Sequence, residues 1–195
     1  MARMHKSSVK LVVVDRDGTL NEFQEGYIQQ PSQWRAIPGA LEAVALLNGA
    51  GWHVVVATNQ PGLGRGVIDM DTLNAIHQVM HQQLAALGAR VDAVFFCPHL
   101  DEDGCDCRKP LPGLIDDIAL RYGIDVADIH CVGDALRDVQ ASVAAGAISH
   151  LVCTGESAHL QGQPLPDDFP ATTHVHASLM DFARAVIASE QTAAA

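Results

Sequence analysis

The 195-residue chain contains no apolar run approaching the roughly 18 residues that a membrane-spanning helix requires. It is also short of positive charge: 12 Lys and Arg stand against 23 Asp and Glu, a formal net charge of −11. That balance argues against a nucleic-acid backbone or an anionic lipid surface as partner. No C-x-x-C pair occurs, which removes the usual dithiol redox signature. Internal repeats, low-complexity linkers and coiled-coil heptads are all missing, so one domain over residues 1–195 and a monomer are expected. The N-terminal MARMHKSS is mildly basic but leads into an apolar strand-like run instead of a secretory leader core, and a cytoplasmic location is expected. In that compartment five cysteines are not expected to build a disulfide framework, and Cys131 and Cys153, set in apolar runs, read as buried inert thiols.

What is present is an alternation. Continuous β-branched runs at 9–15, 52–58, 91–97, 128–134 and 148–154 read as buried strands. Between them, 39–51, 69–88, 111–123 and 135–147 carry helical spacing, mostly closed by glycine. A weak strand around THVHAS and a helix over 179–188 follow, after a loop at 160–173 with little pattern of its own. This predicts an α/β fold: a single Rossmann-like three-layer domain with a mostly parallel sheet. Ligands in such sheets bind beyond the carboxyl ends of the strands.

The strand ends carry chemistry. Asp15 ends the first strand and Asp17 follows at i+2 in VVVDRDGTLN, a pair of carboxylates that repel unless a cation or shared proton intervenes. Magnesium would relieve them and also hold a phosphate oxygen; an Asx-type turn is the plainer alternative. Thr58 and Asn59 offer a hydroxyl, an amide and backbone N–H groups suited to a phosphoryl group, or a simple turn before Pro61-Gly62. Asp134 ends the fourth strand, placed to give the metal a further oxygen, with Asp138 one turn on as a water ligand or helix cap. Lys109 could neutralise charge beside a nucleophile, or lie on the surface like most lysines. His77 and His81, and His174 and His176, lack a third ligand nearby in sequence and read as ordinary surface or core residues.

The stretch 97–110, CPHLDEDGCDCRKP, leaves a redox site, a metal clamp and a reactive loop open. Cys97-x-His99 and Cys105-x-Cys107 form two tight ligand pairs, a Cys₃His set of the kind that closes a tetrahedral zinc. Asp101, Glu102 and Asp103 between them are hard ligands that zinc would pass over, and read as solvated.

In order along the chain, D-x-D-G-T, T-N, R-K-P and G-D-x-x-x-D resemble the motif set of the haloacid dehalogenase superfamily, over residues 9 to about 154. That resemblance implies phosphoryl transfer through an aspartyl-phosphate. Asp15 would be the nucleophile and Asp17 the general acid/base, Thr58 and Lys109 would hold the phosphoryl oxygens, and magnesium would bind Asp15, the backbone carbonyl of Asp17, and Asp134. The insertions are too short for a cap domain. C-x-H…C-x-C-R-K-P is similar to the capless heptose-bisphosphate phosphatases and the related histidinol-phosphate phosphatases. The likeness implies a structural zinc, a phosphorylated sugar as substrate in the first case, and substrate contacts from Gln24, Glu25, Gly26, Tyr27, Thr58, Asn59, Gln60, Pro61, Arg108 and Lys109. Arg108, aimed at a second anionic group, favours the bisphosphate over histidinol phosphate. The chain departs from that pattern at Pro61, where serine is common, and at Ala135, where some members carry lysine.

Overall fold

Runs of Val, Leu, Ile and Cys pair into one six-stranded sheet in the computed structural model, which describes residues 9–193. Its strands are β1 (Lys10–Val14), β2 (Trp52–Asn59), β3 (Ala93–Cys97), β4 (His130–Gly133), β5 (Ile148–Val152) and β6 (His174–His176). They lie in the order β3-β2-β1-β4-β5-β6 and every pairing is parallel. The helices are α1 (Ala40–Gly49), α2 (Pro61–Gly64), α3 (Met70–Ala86), α4 (Gly113–Tyr122), α5 (Leu136–Ala145) and α6 (Leu179–Ala193). The N-terminal MARMHKSS lies outside the described residues. No helix among the described residues is long and apolar enough to cross a membrane.

Strand pleating divides the core. Val12, Val14, Val54 and Val56 face one side and pack with Leu41, Val44 and Leu47 of α1, Ile76, Met80 and Leu84 of α3, and Phe182 and Val186 of α6. Leu11, Val13, Val55 and Ala57 face the other side, against Leu114, Ile115 and Ile118 of α4 and Ala141 of α5. The three-layer domain is as the alternation predicts, but the sheet is wholly parallel. Strand boundaries are tighter than the apolar runs: β1 stops at Val14 and β4 at Gly133, so Asp15 and Asp134 are the first residues past their strands, while Thr58 lies inside β2. The helix read at 179–188 continues to Ala193.

The chain steps from β1 outward through β2 to β3, then returns to lay β4 on the other side of β1. A crevice opens where the order reverses, above the carboxyl ends of β1 and β4. Asp15 N–H donates to Val132 O at 2.9 Å, stitching the two ends together at that crevice.

At the far side of the sheet, histidines from three strands form a ladder. His130 Nδ1 lies 2.9 Å from His150 Nε2, and His150 Nδ1 lies 3.0 Å from His176 Nε2. The His174 ring stacks on His150 at 5.1 Å, and Phe182 of α6 meets His150 edge-on at 4.8 Å. Burial pushes His150 down to about 2 and His130 down to about 4, and lowers His176; neighbouring imidazoles add to each. Glu190 near His130 and Asp181 near His176 oppose the shift. Below the ordinary value of 6.5 the unfolded chain takes up these protons while the folded chain does not. Stability is therefore complete above about pH 6.5 and is lost as pH falls toward 4, by up to about 1.4 kcal/mol per pH unit for each histidine involved. Urea unfolding at pH 7.5, 6.5 and 5.5 should show this decline, with a shallower slope for His150→Phe; equal slopes would contradict it.

Candidate active site

The crevice is organised by one buried cation. Lys109 Nζ donates to Asp15 Oδ1 at 2.5 Å and to Ala57 O at 2.9 Å, and lies 2.5 Å from Asp138 Oδ1. Burial works against the ammonium charge, but Asp138 and Asp15 outweigh it and hold the lysine's pKa above its ordinary value. Asn59 fixes the lysine's backbone from both directions: Nδ2 donates to Lys109 O at 2.9 Å, and Lys109 N–H donates to Asn59 Oδ1 at 3.1 Å. The Asn59 side-chain amide, expected from the sequence to meet substrate, holds the Lys109 backbone in this structure.

Two carboxylates share this ammonium and a third, Asp134, lies beside them. Ligand oxygens of Asp15, Asp134 and Asp138 all lie within 4.8 Å of one another, and all three residues are buried. Asp134 Oδ1 accepts from Thr19 Oγ1 at 3.1 Å and Oδ2 accepts from Glu156 N–H at 2.8 Å. Burial, with Asp15 and Asp138 adding to it, raises Asp134 well above the carboxylate range. Burial likewise pushes Asp15 up to about 7, against the pull of Lys109. Carboxylates crowded this way lack positive charge, and the set of hard oxygens fits a divalent cation of the magnesium kind. Two glycines make room for it: a Cβ on Gly18 or Gly155 would sit 2.2 or 2.1 Å from Asp134 Oδ2. Asp138 takes both roles that the sequence leaves open or does not see, capping α5 through Ala135 N–H at 3.0 Å and pairing with Lys109.

Asp17 is not one of the clustered carboxylates. Arg16 Nη2 donates to both of its oxygens at 2.9 and 2.8 Å, Asn21 Nδ2 to Oδ1 at 3.0 Å, and Gln60 Nε2 to Oδ2 at 2.9 Å. Burial alone would raise Asp17, but Arg16 and these hydrogen bonds hold it below the usual range. Gln60 also donates to Thr58 Oγ1 at 3.0 Å, tying two predicted site residues to the Asp17 carboxylate.

A cavity of about 240 Å³ opens beside Asp17, lined by Gln24, Tyr27, Asn59, Pro61 and Arg108 from the predicted set. Tyr27 holds a left-handed backbone, φ 72°, in the loop after Asp17. Glu25 and Gly26 of that loop do not line the cavity. Arg108 pairs with Asp101 Oδ1 and donates to His99 O at 3.3 Å; Asp101 is solvated as expected, 81% exposed, and carries this one ion pair. Sequence reading misses three further wall residues, Phe23, Arg137 and Glu156. Arg137 and Glu156 form a two-pronged ion pair at 2.9 and 2.8 Å.

The cysteine loop hangs from the end of β3. Cys97 Sγ lies 3.2 Å from Cys107 Sγ and 3.7 Å from Cys105 Sγ, and His99 Nδ1 lies 3.6 Å from Cys97 Sγ and 3.3 Å from Cys107 Sγ. A zinc tetrahedron with Zn–S bonds of about 2.3 Å has S–S edges of about 3.8 Å, close to these spacings. Burial and the adjoining thiols push Cys107 up to about 12.

Residues 106–182 match the HAD-hydrolase-like family model. Over 147 residues the chain is 53% identical to a D-glycero-beta-D-manno-heptose-1,7-bisphosphate 7-phosphatase of Bordetella bronchiseptica, covering 75% of this chain and 82% of that one. A phosphatase of the same description from Pseudomonas aeruginosa is 42% identical over 160 residues, covering 82% and 90%. Among solved structures, the B. bronchiseptica D,D-heptose 1,7-bisphosphate phosphatase complexed with magnesium and phosphate superposes with a TM-score of 0.87 at 46% identity, over 93% of this chain and 99% of that one.

Gly155→Ala should force Asp134 aside, destabilising the fold by on the order of 2–3 kcal/mol and weakening magnesium binding. Urea unfolding and titration calorimetry with magnesium measure the two effects; unchanged values for both would contradict the packing described.

Proposed function

The chain belongs to the D-glycero-beta-D-manno-heptose-1,7-bisphosphate 7-phosphatase family of HAD-like hydrolases, and from that membership we propose that it removes the 7-phosphate of the β-anomer of D-glycero-D-manno-heptose 1,7-bisphosphate. The observation that carries this beyond membership is the Lys109-bridged Asp15 at the crevice, with a cavity walled by two arginines alongside. The enzyme is a monomeric cytoplasmic phosphoric monoester hydrolase whose product leads to the nucleotide-activated heptose of the lipopolysaccharide core.

Asp15 attacks phosphorus, its carboxylate oxygen forming the new P–O bond as the bond to the C7 oxygen breaks. Asp17 gives a proton to the departing alkoxide and then takes one from the water that attacks the aspartyl-phosphate; the P–O bond to Asp15 breaks and inorganic phosphate leaves. Lys109 and Thr58 hold the phosphoryl oxygens. Asp15, Asp134 and the backbone carbonyl of Asp17 would hold magnesium, which when bound would neutralise negative charge at the site. The resting ion pair of Asp17 with Arg16 suits its second task, since a base must start ionised; the incoming phosphate's negative charge favours its protonated form for the first. Arg108 and Arg137 offer positive charge to the anionic group at C1, which histidinol phosphate lacks.

Cys97, His99, Cys105 and Cys107 would hold a zinc ion, which would fix the loop that ends in Arg108-Lys109. Elemental analysis should return about one zinc per chain, and stripping it should lower the melting temperature; a fully folded zinc-free protein would defeat this assignment. A phosphate-release screen should rank the β-anomer above the α-anomer and histidinol phosphate. Asp15→Asn should abolish release and Asp17→Asn should reduce it by roughly 10²–10⁴-fold. Faster turnover of histidinol phosphate would overturn the substrate, and turnover by Asp15→Asn would overturn the nucleophile.

A further inference from the structure

Arg16 stands between the two aspartates of the first motif, yet it is 1% exposed, among the largest fully buried side chains. A guanidinium is permanently charged and can only donate. Its Nη2 and Nε reach Asp17, and the remaining Nη1 lies 3.1 Å from His77 Nε2 on α3. Since Arg16 cannot accept, His77 must present a bare Nε2 and carry its proton on Nδ1. Burial and the Arg16 charge lower His77 to about 4, consistent with a neutral ring. Neither Arg16 nor His77 lines the cavity beside Asp17.

The geometry points to His77 as a positioning residue for the general acid/base: by accepting from Arg16 Nη1 it fixes the plane of the guanidinium fork, and the fork fixes the Asp17 carboxylate. Arg16 alone could swing about its long side chain. With one edge pinned on α3 and its backbone carbonyl accepting from the N–H groups of Thr19, Leu20 and Asn21, the fork has one available orientation. Asn21 and Gln60 then complete the cradle around Asp17 at 3.0 and 2.9 Å. The inference rests on Asp17 being the general acid/base of the proposed reaction.

The test exploits the leaving group. Protonation by Asp17 matters most when the departing oxygen is a poor leaving group, as in an alkyl phosphate, and least for 4-nitrophenyl phosphate, whose phenolate departs unaided. The ratio kcat/KM reports steps up to the aspartyl-phosphate and is not affected by its hydrolysis. His77→Leu keeps apolar bulk but removes the acceptor. It should lower kcat/KM by roughly tenfold or more on the best alkyl phosphate found with the unmodified enzyme, and by no more than about threefold on 4-nitrophenyl phosphate. His77→Gln, whose Oε1 can accept from Nη1, should recover most of the alkyl activity. If His77→Leu does not fold, His77→Asn, which retracts the acceptor, carries the same expectation. Equal losses on the two substrates, or none, would overturn the positioning role, as would a His77→Gln no better than His77→Leu. Failure of the heptose reading would appear separately, as absence of heptose bisphosphate turnover by the unmodified enzyme.

Discussion

The shared ammonium of Lys109 is the interaction on which the rest of the site depends. Three carboxylates cannot be buried within 4.8 Å of one another on packing alone, because desolvation and mutual repulsion both oppose their charge. Lys109 contacts two of them at 2.5 Å and also donates to Ala57 O. Its position is over-determined: Asn59 grips its backbone from β2, and the cysteine loop delivers it from β3. Moving any of these elements would leave a buried charge without its partner, a far larger cost than the loss of one surface ion pair.

The cysteine loop and the acids are thus two parts of one arrangement. Cys97 closes β3 and belongs to the core that α4 and α5 complete, while Cys107 precedes Arg108 and Lys109. A Cβ on Gly113 at the start of α4 would meet Asp106 O at 2.7 Å, so the loop packs directly on the helix that follows it. A loop that carried Lys109 flexibly would spend ordering entropy each time the site assembled. Tying its ends to β3 and α4, and its middle to a metal-type cluster, removes that expense beforehand.

Much of this was legible from the residues. Strand–helix alternation gave the topology class, and the switch-point rule put Asp15 and Asp134 side by side although 119 positions separate them in the numbering. Other parts were hidden for physical reasons. An arginine between two aspartates reads as a solvated charge, and only α3, 61 positions away, buries Arg16 beneath His77. His174 and His176 lacked a carboxylate partner in sequence because their partner is another histidine, on a strand whose neighbour is known only once the sheet order is known. The contact of Asn59 with the Lys109 backbone was likewise hidden, because 50 positions separate the two residues and nothing local links them.

On the proposed function, the cavity's two arginines would let a domain without a cap discriminate among anions. Arg108 is paired with Asp101 and Arg137 with Glu156. An anion entering the cavity therefore gains the difference between its own contacts and those it displaces. A carboxylate offers little over the resident acids. A dianionic phosphate brings more charge and a third acceptor oxygen, and can address two guanidinium groups at once. The resident acids also keep the cavity from presenting bare positive charge in a protein of net charge −11, where stray anions would otherwise find their strongest attraction. Selectivity in this arrangement would come from exchange against internal competitors, a task for four side chains, Arg137 at the start of α5 and three in the connecting segments, that needs no closing domain.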